Sequence, residues 1–246
     1  MNKTLQFNNG IRLRQWAFVI GAFALMTIAV VAHHLMVNGN AAFIDMRGVL
    51  SAEMWYQVVL AGLALAYLVA VKVVHPLKYQ MFDQGGSSAA YPAPVIALGI
   101  SGTQSWRVVG RVGVIVFGAI ALFYAYVSVW HRVIPPLEQI IPALGLGAVL
   151  AGGSAFAVTV ITRFGIVVTL HDVLPARTIY LLTALLYAVP QYYLFPGGIV
   201  RAVIAGVMGW LLAKSILETR GAVWAWSIQF VYDWVVYSAL LSMMSL

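Results

Sequence analysis

Seven apolar stretches in this chain of 246 residues are long enough to cross a lipid bilayer. A helix needs about 20 apolar residues to span the hydrocarbon core, where an isolated strand or loop would leave its backbone polar groups without partners. Polar or Pro- and Gly-rich breaks separate the stretches, which predicts a bundle of seven helices. The stretches lie at about residues 16–36, 54–75, 109–130, 140–162, 178–195, 199–216 and 222–244.

The composition agrees with this pattern. Hydrophobic residues make up 63% of the chain and charged residues 9%, and the mean hydropathy is +0.93. These values are typical of an integral membrane protein. We therefore predict an all-α, polytopic transmembrane bundle that forms a single domain over residues 1–246. The break at 163–177 contains a short apolar run, which is a candidate for an eighth, interfacial or re-entrant element.

The basic residues predict the orientation of the bundle. If the N-terminus is cytoplasmic, eleven of the 14 Lys and Arg residues fall inside and three, Arg47, Arg132 and Arg201, fall outside. This bias is the positive-inside pattern of inner-membrane proteins. It predicts a bacterial inner-membrane location and makes residues 76–108 a cytoplasmic loop, expected to be a flexible connector. Although the net charge is +7, no run of basic residues exists to bind nucleic acid.

Several kinds of chemistry are absent from the sequence. The chain has no cysteine, which excludes disulfides, thiolate catalysis and metal–thiolate sites. No hydrolase elbow, phosphate-binding loop or HExxH pattern is present. His33 and His34 near the end of the first stretch, with His131 near the end of the third, are the candidate haem or metal pair. We predict no cofactor and no metal, and keep a haem- or pigment-binding subunit as an alternative.

The last stretch carries two polar residues near its middle, Gln229 and Asp233. Residues four apart lie on one face of a helix. A carboxylate at this depth is costly, so it is expected to face the bundle interior and to be paired. Arg163, Arg201 and Tyr187 are its candidate partners.

The surrounding sequence, "GVMGWLLAKSILETRGAVWAWSIQFVYDW", resembles the closing segment of the CPBP family, the CAAX-protease and bacteriocin-processing intramembrane proteins also called Abi. The family's His-x-x-x-Asn/Asp motif falls on Gln229 and Asp233, and its Phe-x-x-x-His motif falls on "YAVPQ", Tyr187 to Gln191. Arg163 lies where the Arg of the family's Glu-Glu-x-x-x-Arg motif is expected. The resemblance covers roughly residues 145–245, within a CPBP-like portion at 109–246. Further matches to the family frame are Gly206, Gly209, Trp210, Thr219, Gly221 and Trp224.

The positions that would be catalytic in the family have changed. The two glutamate positions read Val158 and Thr159, and the two histidine positions read Gln191 and Gln229. Neither valine nor a glutamine amide takes up a proton as a general base does. The resemblance thus implies a pseudo-peptidase with no catalytic residue and a retained intramembrane polar core. The members of this core are Arg163, Tyr187, Gln191, Gln229 and Asp233.

Such a protein is expected to act as a subunit, scaffold or assembly factor of a membrane complex, with other integral membrane proteins as partners. One alternative is a divergent intramembrane protease or hydrolase that uses Asp233 with His171 or His33. A second is a haem-, quinone- or pigment-associated subunit. The polar core would bind a ligand, a lipid headgroup or a partner helix, or it would only hold the bundle together.

Glycines in two of the stretches predict close contact between helices. They would pack within this chain or form a docking face for another subunit. These glycines are Gly145, Gly147, Gly152, Gly153, Gly206 and Gly209.

Overall fold

The computed structural model describes residues 15–32, 46–74, 88–90, 103–131, 134–193 and 198–244, and these residues are almost entirely helical. Helices occur at all seven places where the hydropathy pattern predicts them. The α-helices of the described part are α1 (Gln15–Ala32), α2 (Met46–Val74), α3 (Trp106–Ala125), α4 (Leu137–Thr159), α5 (Gly165–Leu170), α6 (Ala176–Tyr193), α7 (Ile199–Thr219) and α8 (Val223–Met244).

The fourth helix is longer than predicted. A π-helical segment, Val160–Phe164, joins α4 to α5, so that one continuous helix runs over Leu137–Leu170. The break expected to begin at residue 163 begins instead at His171, and residues 163–170 form no separate eighth element. The reason is burial: every residue of Val160–Phe164 and Gly165–Leu170 is buried, which favours continued helix over a polar turn. Arg163, the first residue of the predicted break and one of the eleven basic residues placed inside, therefore lies within this helix.

Five helices are long and apolar enough to cross a membrane, which makes the chain a helical membrane protein by length and composition. The prediction of a helical membrane bundle is confirmed at this level. The helices α6 and α8 are not among the five, and both carry several Tyr, Trp, Gln or Asp residues. The five qualifying segments are Gln15–Ala32, Tyr56–Val73, Trp106–Trp130, Leu137–Leu170 and Ile199–Thr219.

Two short strands occur in the segment predicted to be a connecting loop. Strand β1 (Ser88–Ala90) pairs antiparallel with β2 (Thr103–Ser105), with Ser88 opposite Ser105. This ribbon was not predicted from the sequence. Residues 75–87 and 91–102 lie outside the described part of the chain.

The chain divides into two compact units. The first unit is Met1–Leu77 with Ala157–Lys214, and the second is Lys78–Phe156 with Ser215–Leu246. Each unit therefore combines distant parts of the sequence. The prediction of a single domain stays a prediction.

In the first unit, α6 and α7 pack antiparallel. The Thr183 hydroxyl donates to the Gly209 carbonyl at 3.3 Å, and the Tyr180 ring meets the Trp210 ring edge-on at 6.1 Å between centroids. Farther along α6, Ala188 faces Gly206 on the preceding turn of α7. Later residues of α6 thus lie beside earlier residues of α7, as they do in an antiparallel pair.

In the second unit, α3 and α8 pack parallel. Gly110 lies against the Trp224 indole near the start of both helices. Beyond the end of α3, a π-helical segment, Tyr126–Trp130, continues the helix, and the Trp130 indole N–H donates to the Ser242 hydroxyl at 3.1 Å. The helix α4 runs antiparallel to α8, since Gly147 lies beside Ser238, whereas Ser154, farther along α4, hydrogen-bonds Asp233, which comes earlier on α8.

Candidate functional site

Asp233 is the centre of a buried polar cluster in the second unit. Gln229, one turn earlier on α8, donates from Nε2 to Asp233 Oδ1 at 2.8 Å. Ser154 on α4 donates from Oγ to Oδ2 at 2.9 Å. The three side chains, which we call the carboxylate cluster, are buried, with residue exposures of 6% for Ser154, 0% for Gln229 and 7% for Asp233.

The hydrogen bonds in the carboxylate cluster offset the cost of placing a carboxylate away from water. Burial of a charged or polar group is unfavourable unless hydrogen bonds replace those it made to water. Here each carboxylate oxygen accepts a hydrogen bond, and the donors Gln229 and Ser154 come from different helices. The carboxylate cluster therefore links α4 to α8.

Gln229 has the role of a hydrogen-bond donor in the carboxylate cluster. Its amide supplies a proton to the bond with Asp233 but does not exchange protons with a substrate as a histidine would. Ser154 contributes a hydroxyl, whose proton is also directed at the carboxylate. This geometry supports a fixed polar contact between helices.

Arg163 and Tyr187 form a second buried contact, in the first unit. The Arg163 guanidinium carbon lies 4.2 Å from the centroid of the Tyr187 ring, a cation–π geometry. Both residues are buried, at 0% and 2% exposure. Arg163 belongs to the π-helical segment Val160–Phe164, and such segments occur frequently at functional sites.

The remaining predicted positions are buried as well. Gln191 follows Tyr187 by one turn on α6, and Val158 and Thr159 lie at the end of α4. The hydroxyl of Thr159 is buried and makes no hydrogen bond within the described residues. The changed motif positions thus all face protein interior.

The structure brings together two pairs of the five predicted core residues. Gln229 contacts Asp233 in the second unit, and Arg163 contacts Tyr187 in the first. That all five residues form one site stays a prediction. Ser154 was missed, because it follows two glycines in the sequence and was considered only as part of a small-residue packing segment. One signal in the sequence could have identified Ser154. It lies four residues before Val158, which places it one helical turn from a predicted motif position.

A tight turn sets the start of α8. The Thr219 hydroxyl donates to the Ser215 carbonyl at 2.7 Å and accepts from the Gly221 N–H at 3.1 Å. Arg220, between them, has a φ of 58°, in the left-handed region that a non-glycine residue adopts only when its surroundings impose it. The Thr–Gly pair singled out in the sequence therefore ends α7 and begins the helix that carries Asp233.

The predicted packing glycines behave differently from one another. A Cβ on Gly209 would lie 2.9 Å from the Ala184 Cα, and Gly147 lies against Ser238, so both allow close helix contact. Gly206 has an ordinary contact with Ala188 at 3.6 Å. Around the other three, Gly145, Gly152 and Gly153, no atom of another described helix lies within 4 Å of a Cβ position. Three close-packed glycines were missed: Gly110, Gly113 and Gly165.

The histidines considered for metal or proton chemistry are only partly described. His171 Nδ1 lies 2.9 Å from the Val168 carbonyl, and its Nε2 lies 3.0 Å from the exposed Asp172 carboxylate. His33, His34 and His75 are outside the described residues. Within the described ranges, no three His, Asp or Glu side chains lie close enough together to hold a metal ion.

No protein-family model, no curated protein and no solved structure matches the chain. The similarity to CPBP proteins therefore rests on the sequence motifs. The fold itself defines a class, the helical membrane proteins, and the carboxylate cluster is the distinctive polar feature of the second unit.

Proposed function

We propose that the chain crosses the bacterial inner membrane seven times, with its N-terminus in the cytoplasm. The direction of the helices in the second unit supports this topology. Because α3 and α8 run parallel, an odd number of crossings separates them along the chain. The α4 helix, continuous over Leu137–Leu170, is one of these crossings.

The helices α6 and α7 supply the other two crossings. The α7 helix is apolar enough to span the membrane, and α6 runs antiparallel to it. A chain that leaves α4 on one side can enter α7 from the opposite side only if α6 also crosses. Seven crossings with a cytoplasmic N-terminus also place ten basic residues on or near the cytoplasmic side and three on or near the outer side, once the fully buried Arg163 is removed from the eleven.

We propose further that the protein is a CPBP-like pseudo-peptidase that acts as a subunit, scaffold or assembly factor of a membrane complex. The observation that carries this proposal is the hydrogen bonding of Asp233. Its two carboxylate oxygens are held by an amide and a hydroxyl, and the amide occupies the position where the family resemblance places a histidine. Such a cluster supports a structural role, with other integral membrane proteins as the partners.

Affinity purification from native membranes in a mild detergent tests the scaffold role. We expect one or more integral membrane proteins to copurify in a constant ratio to the chain, as measured by quantitative mass spectrometry. Purification of the chain alone, at a size equal to its own mass plus detergent, would contradict the proposal. An absorption band of haem or a pigment in the purified chain would instead support a cofactor-carrying subunit.

A proteolysis assay separates the scaffold role from catalysis. The purified chain is mixed in vesicles with a model transmembrane substrate, and no cleavage is expected. Cleavage by the wild type that disappears in an Asp233→Asn variant would replace the pseudo-peptidase proposal with a divergent protease. An active CPBP-like peptidase in the same vesicles provides the positive control.

A further inference from the structure

An apolar groove of about 420 Å³ lies between α1 and α6 in the first unit. The buried side chains of Met26 and Leu186, each 2% exposed, lie in the groove wall closest to the protein interior. Val31 and Val189, at 50% and 55% exposure, lie at its open side. All of the lining residues except Phe23, which lies at the middle of α1, come from the C-terminal halves of the two helices.

The groove offers almost no polar group to a ligand. Only Thr27 and Tyr193 of its lining residues have polar side chains. The Thr27 hydroxyl is already bonded to the Phe23 carbonyl of its own helix at 2.8 Å. Tyr193 is the last residue of α6 and is 65% exposed, so its hydroxyl lies at the end of the groove. A ring-shaped cofactor is normally oriented by several convergent polar groups, which the groove does not provide.

The side chains of the groove also differ from those of a helix–helix contact. Transmembrane helices approach each other closely where small residues line both surfaces. The contact between α6 and α7 has this character, because Gly209 lies against the Ala184 backbone. Apart from Thr27, the groove is lined instead by Phe, Met, Leu, Val, Pro and Tyr, with no glycine. Its surface is suited to a thin, flexible, purely apolar occupant.

We infer that this groove binds one acyl chain of a phospholipid. The inference rests on the proposed membrane placement, because the bilayer supplies the chain. An empty groove would leave its walls without dispersion contacts on one side, and a hydrocarbon chain restores them without a polar cost. In the proposed topology, α1 and α6 both run from the cytoplasm outward, so the bound chain belongs to the outer leaflet.

Tyrosines at the end of α6 indicate the depth of the lipid headgroup. The Tyr192 and Tyr193 rings pack edge-to-face, 5.1 Å apart, and both are exposed. Amphipathic rings of this kind concentrate at the membrane–water boundary. The acyl chain therefore enters the groove beside Tyr193 and extends toward Phe23.

Photolabelling tests the inference directly. The full chain is reconstituted in phosphatidylcholine vesicles in which a small fraction of the lipid carries a photoreactive group on one acyl chain. After illumination, peptide mass spectrometry should find the label concentrated on the groove-facing residues of α1 and α6. Equal labelling of all lipid-exposed helices would overturn the inference and leave the seven-span topology intact. Absence of label from every helix would overturn the membrane placement as well.

Groove-filling variants make the test specific. Val189→Trp and Leu185→Trp each place an indole at a groove-lining position that is more than half exposed, where it can occupy the groove without entering the packed interior. Either variant is expected to lower the labelling of α1 several-fold. Val58→Trp, at a residue of α2 that is 63% exposed and outside the groove, is the matched control and should label as the wild type does. Unchanged labelling in both groove variants, or a photoproduct joined to another protein, would overturn the inference.

Discussion

Ser154 donates a hydrogen bond to the Asp233 carboxylate, and it does so from a different helix. A Ser154→Ala substitution leaves that oxygen without this donor. We expect a loss of about 0.5–2 kcal/mol of unfolding free energy, the range for hydrogen bonds between membrane helices and for a buried acceptor that loses its donor. Unfolding in mixed micelles with a denaturing detergent measures this difference.

Thr27→Val is the matched control for Ser154→Ala, since it removes a hydroxyl that bonds only within its own helix. Its effect should be smaller than that of Ser154→Ala. A double-mutant cycle with Gln229→Leu adds a second test, because both donors bind the same carboxylate. Strictly additive effects, or equal effects of Ser154→Ala and Thr27→Val, would contradict the linking role of the carboxylate cluster.

The contact between Arg163 and Tyr187 gives a second prediction for individual residues. A cycle of Arg163→Met and Tyr187→Leu isolates their interaction from the packing that each side chain loses alone. We expect a coupling free energy of about 2 kcal/mol, as for a desolvated cation–π pair. The same unfolding assay measures it. A coupling free energy indistinguishable from zero would show that the guanidinium and the ring lie close together without stabilising the fold through their interaction.

At the level of the helices, Gly209 and Gly206 make a matched pair on α7. A Cβ added to Gly209 would lie 2.9 Å from both the Ala184 Cα and the Thr183 carbonyl oxygen, and backbone atoms have little room to move. Gly209→Ala should therefore cost about 1–3 kcal/mol of unfolding free energy, as overpacking does. Gly206→Ala meets only the Ala188 methyl at 3.6 Å and should be tolerated or slightly stabilising. The reverse order would be inconsistent with the packing of α6 on α7.

Much of the helix pattern follows from the sequence, because apolar runs and the breaks between them are local signals. The predicted stretches at 199–216 and 222–244 differ from α7 and α8 by at most three residues at either end. The continuation of α4 through Arg163 was not predicted, because a basic residue two positions before a glycine is typical of a turn until its burial is known. The pairing of Ser88–Ala90 with Thr103–Ser105 depends on contacts between distant residues, which periodicity does not contain.

The candidate site was predictable in part. The spacing of Gln229 and Asp233 places them on one helix face, and the structure shows them hydrogen bonded. Ser154 comes from another helix, so only the packing of α4 against α8 reveals it. The same limit applies to the glycines. Gly110 packs against Trp224 and Gly152 has no near neighbour among the described residues, although both lie in similar apolar sequence.

For the whole molecule, two independent features bear on the proposed topology. Helix directions come from side-chain contacts such as that of Trp130 with Ser242, whereas the charge bias comes from the positions of the Lys and Arg residues along the sequence. Neither depends on the motifs that resemble the CPBP family. The topology can therefore be tested separately from the proposed function.

The chain contains no cysteine, so single cysteines can be introduced without removing native ones. Cysteines at His131 and Gly198 should react in intact cells with a maleimide reagent that does not cross the inner membrane, because these sites follow helices that end outside. Cysteines at Asp172 and Arg220 should react only after the cells are opened. Labelling is measured as the mass shift of the protein.

The four sites also test which helices cross. If α6 and α7 did not span the membrane, Asp172, Gly198 and Arg220 would all lie on one side, and Gly198 would be protected together with the other two. If the whole bundle were inverted, all four sites would exchange their accessibility. The directions of the helices relative to one another would stay the same. Reaction of Gly198 together with His131 from outside, and of neither Asp172 nor Arg220, is compatible only with alternation of the helices from α4 to α7. That alternation also places Tyr193 and the end of the groove at the outer surface, where the inferred phospholipid headgroup would lie.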